Sequence, residues 1–446
     1  MGELALVAGL GKTGYSIVRY LQRRNRDFIV FDTRDEPPDL LTFKKTFPQV
    51  EVYCGELPGN VLASVKRVIS SPGVPLTHPV MSQLASIGVP IIGDIECFVR
   101  EITAPVIAIT GTNGKSTVTA LVGEMVHATG LSVAVAGNIG LPVLDLLDDV
   151  HAYDMFVLEL SSFQLELTES LRPCAATILN ISPDHLDRHC DMDAYINAKH
   201  KIYNNAQNIV YNREDRATYP AKTLALNADT ISYGLDCPQV GHFGVRCYEG
   251  RDYLAFGENC LLPCSALRIP GTHNVLNALA ACALVYAAGL PVESVVEVLR
   301  NFAGLPHRSQ LVRMLGDVAW INDSKGTNIG ATLSAIVGIG AGLSGKIVLI
   351  AGGQGKGADF TALRQVVADY VRVVVLIGED ADKIELALQD VVLVQRASSL
   401  EDAVYQAQLV VMPGDVVLLS PACASFDMFR DFNHRGEVFS AVVREL

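Results

Sequence analysis

Apolar residues arrive in short runs, and the stretches between them carry apolar positions at helical spacing. Residues 4–8, 28–31, 106–109, 132–136, 155–160 and 176–181 read as buried strands, as do 347–351, 373–377 and 416–419. Residues 14–24, 115–130 and 400–410 read as helices. Continuous apolar strands alternating with helices predict parallel sheets covered on both faces, an α/β fold. Residues 241–270 differ, with short alternations broken by Glu-Gly, Phe-Gly-Glu-Asn and Pro. They predict a small antiparallel insertion, followed by helices over 273–288 and 292–302. A strand-like segment, 89–92, ends just before a new βα unit near Gly93-Asp94. A helix ends near Gly304-Leu305-Pro306, before a hairpin-like pair. These breaks divide the 446 residues into 1–94, 95–304 and 305–446, in keeping with about 150 residues per domain.

Hydrophobic residues make up 50% of the chain and charged residues 19%, enough to build cores and too apolar for disorder. A net charge of −13 argues against general nucleic-acid binding. Any anionic substrate must meet local donors rather than a global positive field. Ten cysteines contain no Cys-x-x-Cys, and Cys260 and Cys264 have no second pair at zinc spacing, which predicts scattered thiols in a reducing compartment. The amino terminus lacks a basic signal-peptide region and, with Leu6, a myristoylation signal. The longest apolar run, 278–290, is shorter than the roughly 18 residues that span a bilayer. A cytoplasmic protein with neither membrane nor nucleic-acid partners is expected.

Two glycine loops carry the chemistry. In Thr110-Gly111-Thr112-Asn113-Gly114-Lys115-Ser116-Thr117 a strand runs into a Gly-rich turn and then a long helix. Glycines let backbone N–H groups converge on phosphate oxygens, and the helix N-terminus adds its dipole. Lys115 can reach the β- and γ-phosphates, and Ser116 or Thr117 can hold Mg²⁺. The strict Walker pattern wants glycine where Ile109 stands, so this is a shortened variant. The second loop, Gly9-Leu10-Gly11-Lys12-Thr13-Gly14, follows a strand, and Asp32 ends the next one. Alone it reads as a dinucleotide fingerprint.

The phosphate loop resembles that of the Mur ligase and folylpolyglutamate synthase superfamily, enzymes that join an amino acid to a carboxylate with ATP. The likeness continues through Gly137-Asn138-Ile139-Gly140, Leu158-Glu159-Leu160-Ser161-Ser162-Phe163-Gln164 and Asn180-Ile181-Ser182-Pro183-Asp184-His185-Leu186-Asp187. It runs on through Gly271-Thr272-His273-Asn274, Leu305-Pro306-His307-Arg308, residues 321–328 and Ser420-Pro421-Ala422-Cys423-Ala424-Ser425. Within the superfamily it is strongest for the branch that adds D-glutamate to UDP-N-acetylmuramoyl-L-alanine through an acyl phosphate, a step in peptidoglycan precursor synthesis. The fold so implied is a Rossmann-like N-terminal domain, a central P-loop ATPase-like domain and a Rossmann-like C-terminal domain.

The resemblance also implies roles. ATP would be held by Gly111 to Thr117 with Asn274 at the adenine, Arg308 at the phosphates, and Asp323 and Lys325. Two Mg²⁺ sites would draw on Thr117, Glu159, His185 and Lys199, the last carrying a CO₂ adduct on its amine. A carbamate supplies the anionic oxygens a hard cation prefers, where an ammonium would repel it. Lys115, His185 and Lys199 are thereby the catalytic candidates. The N-terminal loop would hold the UDP substrate: Leu10, Gly11, Lys12 and Thr13 at the diphosphate, Asp32, Thr33 and Arg34 at the uridine, and Ser71, with Asn138, Ser161 and Gln164 from the central domain. Lys356 and Ser425, in strand–loop–helix crevices of the C-terminal part, with Phe432 as a wall, would take the amino acid. His189 reads as surface, and Asp184 and Asp187 receive no catalytic role. A monomer is expected. Three rivals stay open: a sister ligase of the superfamily that adds L-alanine or diaminopimelate, a nicotinamide oxidoreductase, on the N-terminal loop alone, and a nucleotide-sensing protein without turnover.

Overall fold

The computed structural model describes residues 3–185, 188–225, 228–269, 271–292 and 295–446. Leu186 and Asp187 of the quoted motif, Pro270, and two positions of the expected 292–302 helix lie outside the described residues.

Among the described residues the strands form three sheets. The first contains β1 (Ala5–Ala8), β2 (Phe28–Asp32), β3 (Val52–Cys54), β4 (Arg67–Ser70) and β5 (Ile91–Gly93), in the order β3-β2-β1-β4-β5 and parallel throughout. The second contains β6 (Val106–Thr110), β7 (Val133–Gly137), β8 (Met155–Glu159), β9 (Ala175–Ile178), β10 (Asn208–Asn212), β11 (Asp229–Tyr233), β12 (Phe243–Tyr248), β13 (Arg251–Phe256) and β14 (Asn259–Pro263). Its order is β14-β13-β12-β11-β10-β9-β6-β8-β7. The third contains β15 (Gln310–Leu315), β16 (Val318–Asn322), β17 (Ile347–Gly352), β18 (Val371–Ile377), β19 (Leu393–Arg396) and β20 (Val416–Leu419), in the order β15-β16-β20-β17-β18-β19. Only β15 there is antiparallel to its neighbour.

The expected strands form because their side chains are buried on both faces: β1, β6 and β8 are buried at every position. The expected antiparallel insertion forms as β12, β13 and β14. β12 meets β11 at Tyr233–Phe243 and extends the central sheet, so its apolar residues join the central core. The strand expected to reach residue 181 ends at Ile178. Beyond it Asn180 leaves the ladder to brace the phosphate loop, its carbonyl accepting from Thr112 N–H and its side chain from Asn113 N–H.

The first two sheets share a core. On the short helix Asp94–Val99, Ile95 and Phe98 pack with central-sheet residues, and the Phe98 ring meets Phe156 edge-on at 5.1 Å. Burying such a side chain stabilises by about 1.5–3 kcal/mol. Glu96, on the same helix, accepts from Glu169 N–H, Ser170 N–H and Oγ, and Arg100. Among the described residues no helix is long and apolar enough to cross a membrane.

Candidate active site

The carboxyl ends of β9, β6, β8 and β7 lie side by side, and the loops that leave them build the site. Gly111 and Gly114 hold φ of +154° and +82°, which lets the chain curl between Thr110 and the helix Lys115–Ala128. A Cβ on Gly114 would lie 2.6 Å from Asn277 Oδ1, so the loop has no room for a side chain there. Lys115 Nζ donates to the Gly111 and Thr112 carbonyls, both at 2.9 Å. Burial lowers its pKa, against the opposing pull of Glu159.

Arg308 arrives from beyond the third sheet's boundary. Its Nη2 donates to Ser116 Oγ at 2.6 Å, tying the segment after Pro306 to the phosphate loop. Lys325 comes with it, lying 4.0 Å from the centroid of the Phe432 ring. Burial, then Arg308 and Lys115, push the Lys325 ammonium down to about 8. Asp323 is buried, accepts from Ser420 Oγ at 2.8 Å and Ser309 N–H at 3.1 Å, and is pushed up to about 6 by that burial. Gly114, His273, Asn274, Asn277, Arg308 and Lys325 line one cavity of about 420 Å³. Asn277 was missed by sequence reasoning. It sits one helical turn after Asn274 and donates to its Oδ1 at 3.1 Å, a spacing that makes both side chains face one way.

Glu159 closes β8 almost fully buried. One oxygen accepts from Asn138 Nδ2 at 2.8 Å, and the other is buried with no hydrogen-bond partner among the described residues. An unsatisfied buried carboxylate oxygen is costly unless a cation meets it, and Thr117, in the first turn of the helix Lys115–Ala128, lines the cavity. His185, at φ +54°, packs edge-on against Phe163 at 5.1 Å and lies 3.7 Å from Asp184 Oδ2. Among the described residues no three His, Cys, Asp or Glu side chains make a metal cage, so oxygens of other origin are needed to complete one.

Lys199 is brought into this neighbourhood from the helix Met192–His200. It is 2% exposed, its Nζ donates to the Gly111 carbonyl at 2.9 Å, and it lies 4.6 Å from the centroid of Tyr195. Burial, then the neighbouring Lys115, hold its pKa well below the ordinary lysine value. A helix-surface lysine would show neither feature. Asp184, given no catalytic role from sequence, is one of two carboxylates that pull against those cations at Lys199, Lys115 and Lys325, and it accepts from Asn328 Nδ2 at 3.2 Å.

The N-terminal loop opens onto the carboxyl end of the first sheet. Leu10 N–H, counted among the diphosphate donors, donates instead to Asp32 Oδ2 at 2.8 Å, which leaves Gly11, Lys12 and Thr13 for that role. Arg34 grips both Asp32 oxygens at 2.8 and 2.9 Å. Burial opposes ionisation of Asp32, but the bonds from Arg34 and Leu10 outweigh it and hold the carboxyl below its ordinary value. Thr33 follows Asp32 directly at the end of β2. Ser71 Oγ is buried with no partner among the described residues, close to Gly9 and Gly14.

Two expected substrate residues also cap a helix. Ser161 and Gln164 form a capping box on the helix Ser162–Glu166, Oε1 of Gln164 accepting from Ser161 and the Ser161 hydroxyl from Gln164 N–H. Gln164 also bonds Asp94, whose burial pushes it up to about 6. The Ser-x-x-Gln spacing announced that box in the sequence. His189 is not on the surface: it is 3% exposed, stacks on Phe163 at 5.3 Å and lies 2.9 Å from Ser162 Oγ. The aromatic patch there is made by tertiary contact, which no local pattern signals. Beside it Arg188, also missed, donates to the Val74 carbonyl at 3.2 Å and so touches the Ser71 loop.

In the third sheet the loops after β17 and β20 pair through Gln354 and Ala424, at 3.0 and 2.9 Å. This brings the strand of loop carrying Lys356, at φ +52°, beside Ser425, which is buried. Phe432 opens the terminal helix Phe432–Glu445 under Lys325.

Comparison with known proteins agrees with this architecture. Residues 3–93 match the Mur ligase MurD-like N-terminal domain, 109–285 the Mur ligase middle domain and 307–423 the Mur ligase glutamate ligase domain. A UDP-N-acetylmuramoylalanine–D-glutamate ligase of Legionella pneumophila (strain Paris) is 60% identical over 444 residues, covering 100% of this chain and 99% of that protein. The enzyme of the same name from Pseudomonas fluorescens (strain Pf-5) is 52% identical, covering 99% and 98%. Among solved structures, a pseudomurein peptide ligase type C from Methanothermus fervidus superimposes with a TM-score of 0.62 at 17% identity, covering 99% of each chain. A MurF ligase from Thermotoga maritima gives 0.62 at 16%, covering 99% of this chain and 95% of that one. These two carry the fold alone. The full-length relatives decide the matter: the chain belongs to the Mur ligase family, on its MurD-like branch.

Proposed function

We propose that the protein is an ATP-dependent ligase that joins D-glutamate to UDP-N-acetylmuramoyl-L-alanine in peptidoglycan precursor synthesis. The observation that carries this reading is the convergence of the phosphate loop, Arg308 and Lys325 on one cavity, in a chain 60% identical over its length to an enzyme of that activity. Residues 1–94 would hold the UDP precursor, 95–304 ATP, and 305–446 the amino acid, with the reaction at their junction. A single chain in the cytoplasm is the setting we infer; the free cysteines fit a reducing compartment.

A carboxylate does not condense with an amine in neutral water. The terminal phosphoryl of ATP is transferred to the precursor's carboxylate, giving an acyl phosphate and ADP. The free amine of D-glutamate attacks that carbonyl, and the tetrahedral intermediate expels phosphate and leaves an amide. The protein's work is to position three reactants and to offset charge. Lys115 meets the transferring phosphoryl, and Arg308 offers a planar fork to its oxygens. Lys356 and Ser425 hold the carboxylates of the amino acid against Phe432. Asn138 keeps Glu159 aimed at the phosphates. Thr117, Glu159, His185 and a carbamylated Lys199 would hold two Mg²⁺, which supply charge neutralisation in phosphoryl transfer. The low pKa of Lys199 supports the adduct, because only a neutral amine takes up CO₂.

The test is ADP release with the UDP precursor and a panel of amino acids. D-Glutamate alone should support turnover. Equal turnover with L-alanine or diaminopimelate would refute the assignment.

A further inference from the structure

The terminal helix Phe432–Glu445 carries Gly436 in its interior, where alanine is the better helix former. The structure supplies a reason. A Cβ on Gly436 would overlap His307 Nδ1 and lie 2.7 Å from Cγ and 2.9 Å from Cε1 of the same ring. His307 has little room to retreat. It holds φ +61°, its N–H donates to Gln310 Oε1 at 3.1 Å, and its carbonyl accepts from Lys325 N–H at 3.1 Å. Its ring nitrogen Nδ1 lies 3.0 Å from Asn322 Nδ2.

Asn322 is fully buried and joins all these parts. Its amide nitrogen also donates to the Gly436 carbonyl at 2.8 Å and to Ser440 Oγ at 2.9 Å. Its oxygen accepts from Ser324 N–H at 3.0 Å, the residue before Lys325. The residue after His307 is Arg308, whose guanidinium meets Ser116 on the phosphate loop. Lys325 rests on Phe432, the first residue of the same helix. The terminal helix thus packs against the residues that precede both cations, His307 before Arg308 and Asn322 before Lys325.

We propose that Gly436 and Asn322 are positioning residues for phosphoryl transfer: through His307 they set how far Arg308 and Lys325 reach into the phosphate site. The proposal rests on the reading of Arg308 as a phosphate ligand. It makes the terminal helix, which also bears the wall of the amino-acid subsite, part of the ATP machinery.

The test is a double-mutant cycle of Gly436→Ala and His307→Ala, with Arg308→Ala and Asn322→Ser alongside. ADP formation gives kcat and the KM for each substrate, and melting temperatures report folding. A misplacement of about 1 Å costs up to about 10²-fold in rate. Gly436→Ala should therefore lower kcat roughly ten- to a hundredfold and leave the KM for the UDP precursor unchanged, because that substrate sits in another domain. With the ring removed by His307→Ala, the same glycine change should cost little, since contacting residues couple. A glycine kept for packing alone predicts otherwise: a lower melting temperature in Gly436→Ala with an unaltered kcat. That result, or an equal cost in both backgrounds, overturns the inference. Asn322→Ser should lower kcat with the same unchanged precursor KM, and full activity there overturns it even if Gly436→Ala fails to fold. Wild-type kcat in Arg308→Ala would instead bring down the underlying reading of the site, whatever the cycle gives.

Discussion

Lys325 offers the sharpest quantitative test of the site. It is buried beside Arg308 and Lys115, and burial together with those cations moves its pKa from 10.5 to about 8. A gap of that size corresponds to about 3 kcal/mol. The unfolded chain keeps its proton up to 10.5. Between about 8 and 10.5 it therefore binds more protons than the folded protein, and stability rises with pH. This contribution is complete above 10.5 and is lost as pH falls through about 8. The perturbation is Lys325→Met, which conserves length and removes the charge. At pH 7 the variant should be more stable than the wild type by up to about 3 kcal/mol, less roughly 0.5–2 kcal/mol for the lost contact with Phe432. The difference should shrink as pH approaches 10.5. Binding gives the second readout. The phosphates of ATP favour the ammonium, so near pH 8 the wild type should take up about half a proton when it binds a non-hydrolysable ATP analogue, and less at pH 7. Calorimetric titration in two buffers of different ionisation enthalpy measures that uptake. Lys325→Met should take up correspondingly less. Equal proton uptake by the two proteins, or a stability difference that does not vary with pH, would refute the reasoning.

Three further outcomes are expected. Lys115→Ala should fold and lose on the order of 10²–10³-fold in ADP formation, the usual cost of one electrostatic donor to a transition state, and near-normal turnover would remove the loop from the mechanism. Asp32→Ala and Arg34→Ala should raise KM for the UDP precursor and leave that for ATP nearly unchanged; an equal rise for ATP would mean that the N-terminal loop serves ATP or stability instead. Lys199→Met should keep the melting temperature within a few degrees, because it replaces a buried polar head with an apolar one of similar volume, yet abolish turnover, and Lys199→Arg should be inactive as well. A carbamate visible by ¹³CO₂ labelling in the wild type and absent from Lys199→Met is the direct check, and full activity in Lys199→Arg sinks the proposal.

The two glycine loops and most strands of the three sheets were legible because their signals are local. A buried parallel strand needs a contiguous apolar run, and a phosphate loop needs strand, glycines and helix in direct succession, so Thr110 to Thr117 declares itself in eight residues. The capping box of Ser161 and Gln164 was equally local, four residues in direct succession. What the chain order hides is which loops share a cavity. Arg308 meets Ser116 across 192 residues, and Lys199 meets Gly111 across 88. Neither can be counted from spacing. The burial of His189 and the lowered pKa of Lys199 depend on which surfaces fold over them, since desolvation is a property of the surroundings and not of the residue. The same holds for Gly436, a helix glycine with no meaning along its own helix. It acquires one only when packing brings the His307 ring against it, because close-packed interiors leave no space for a methyl group there.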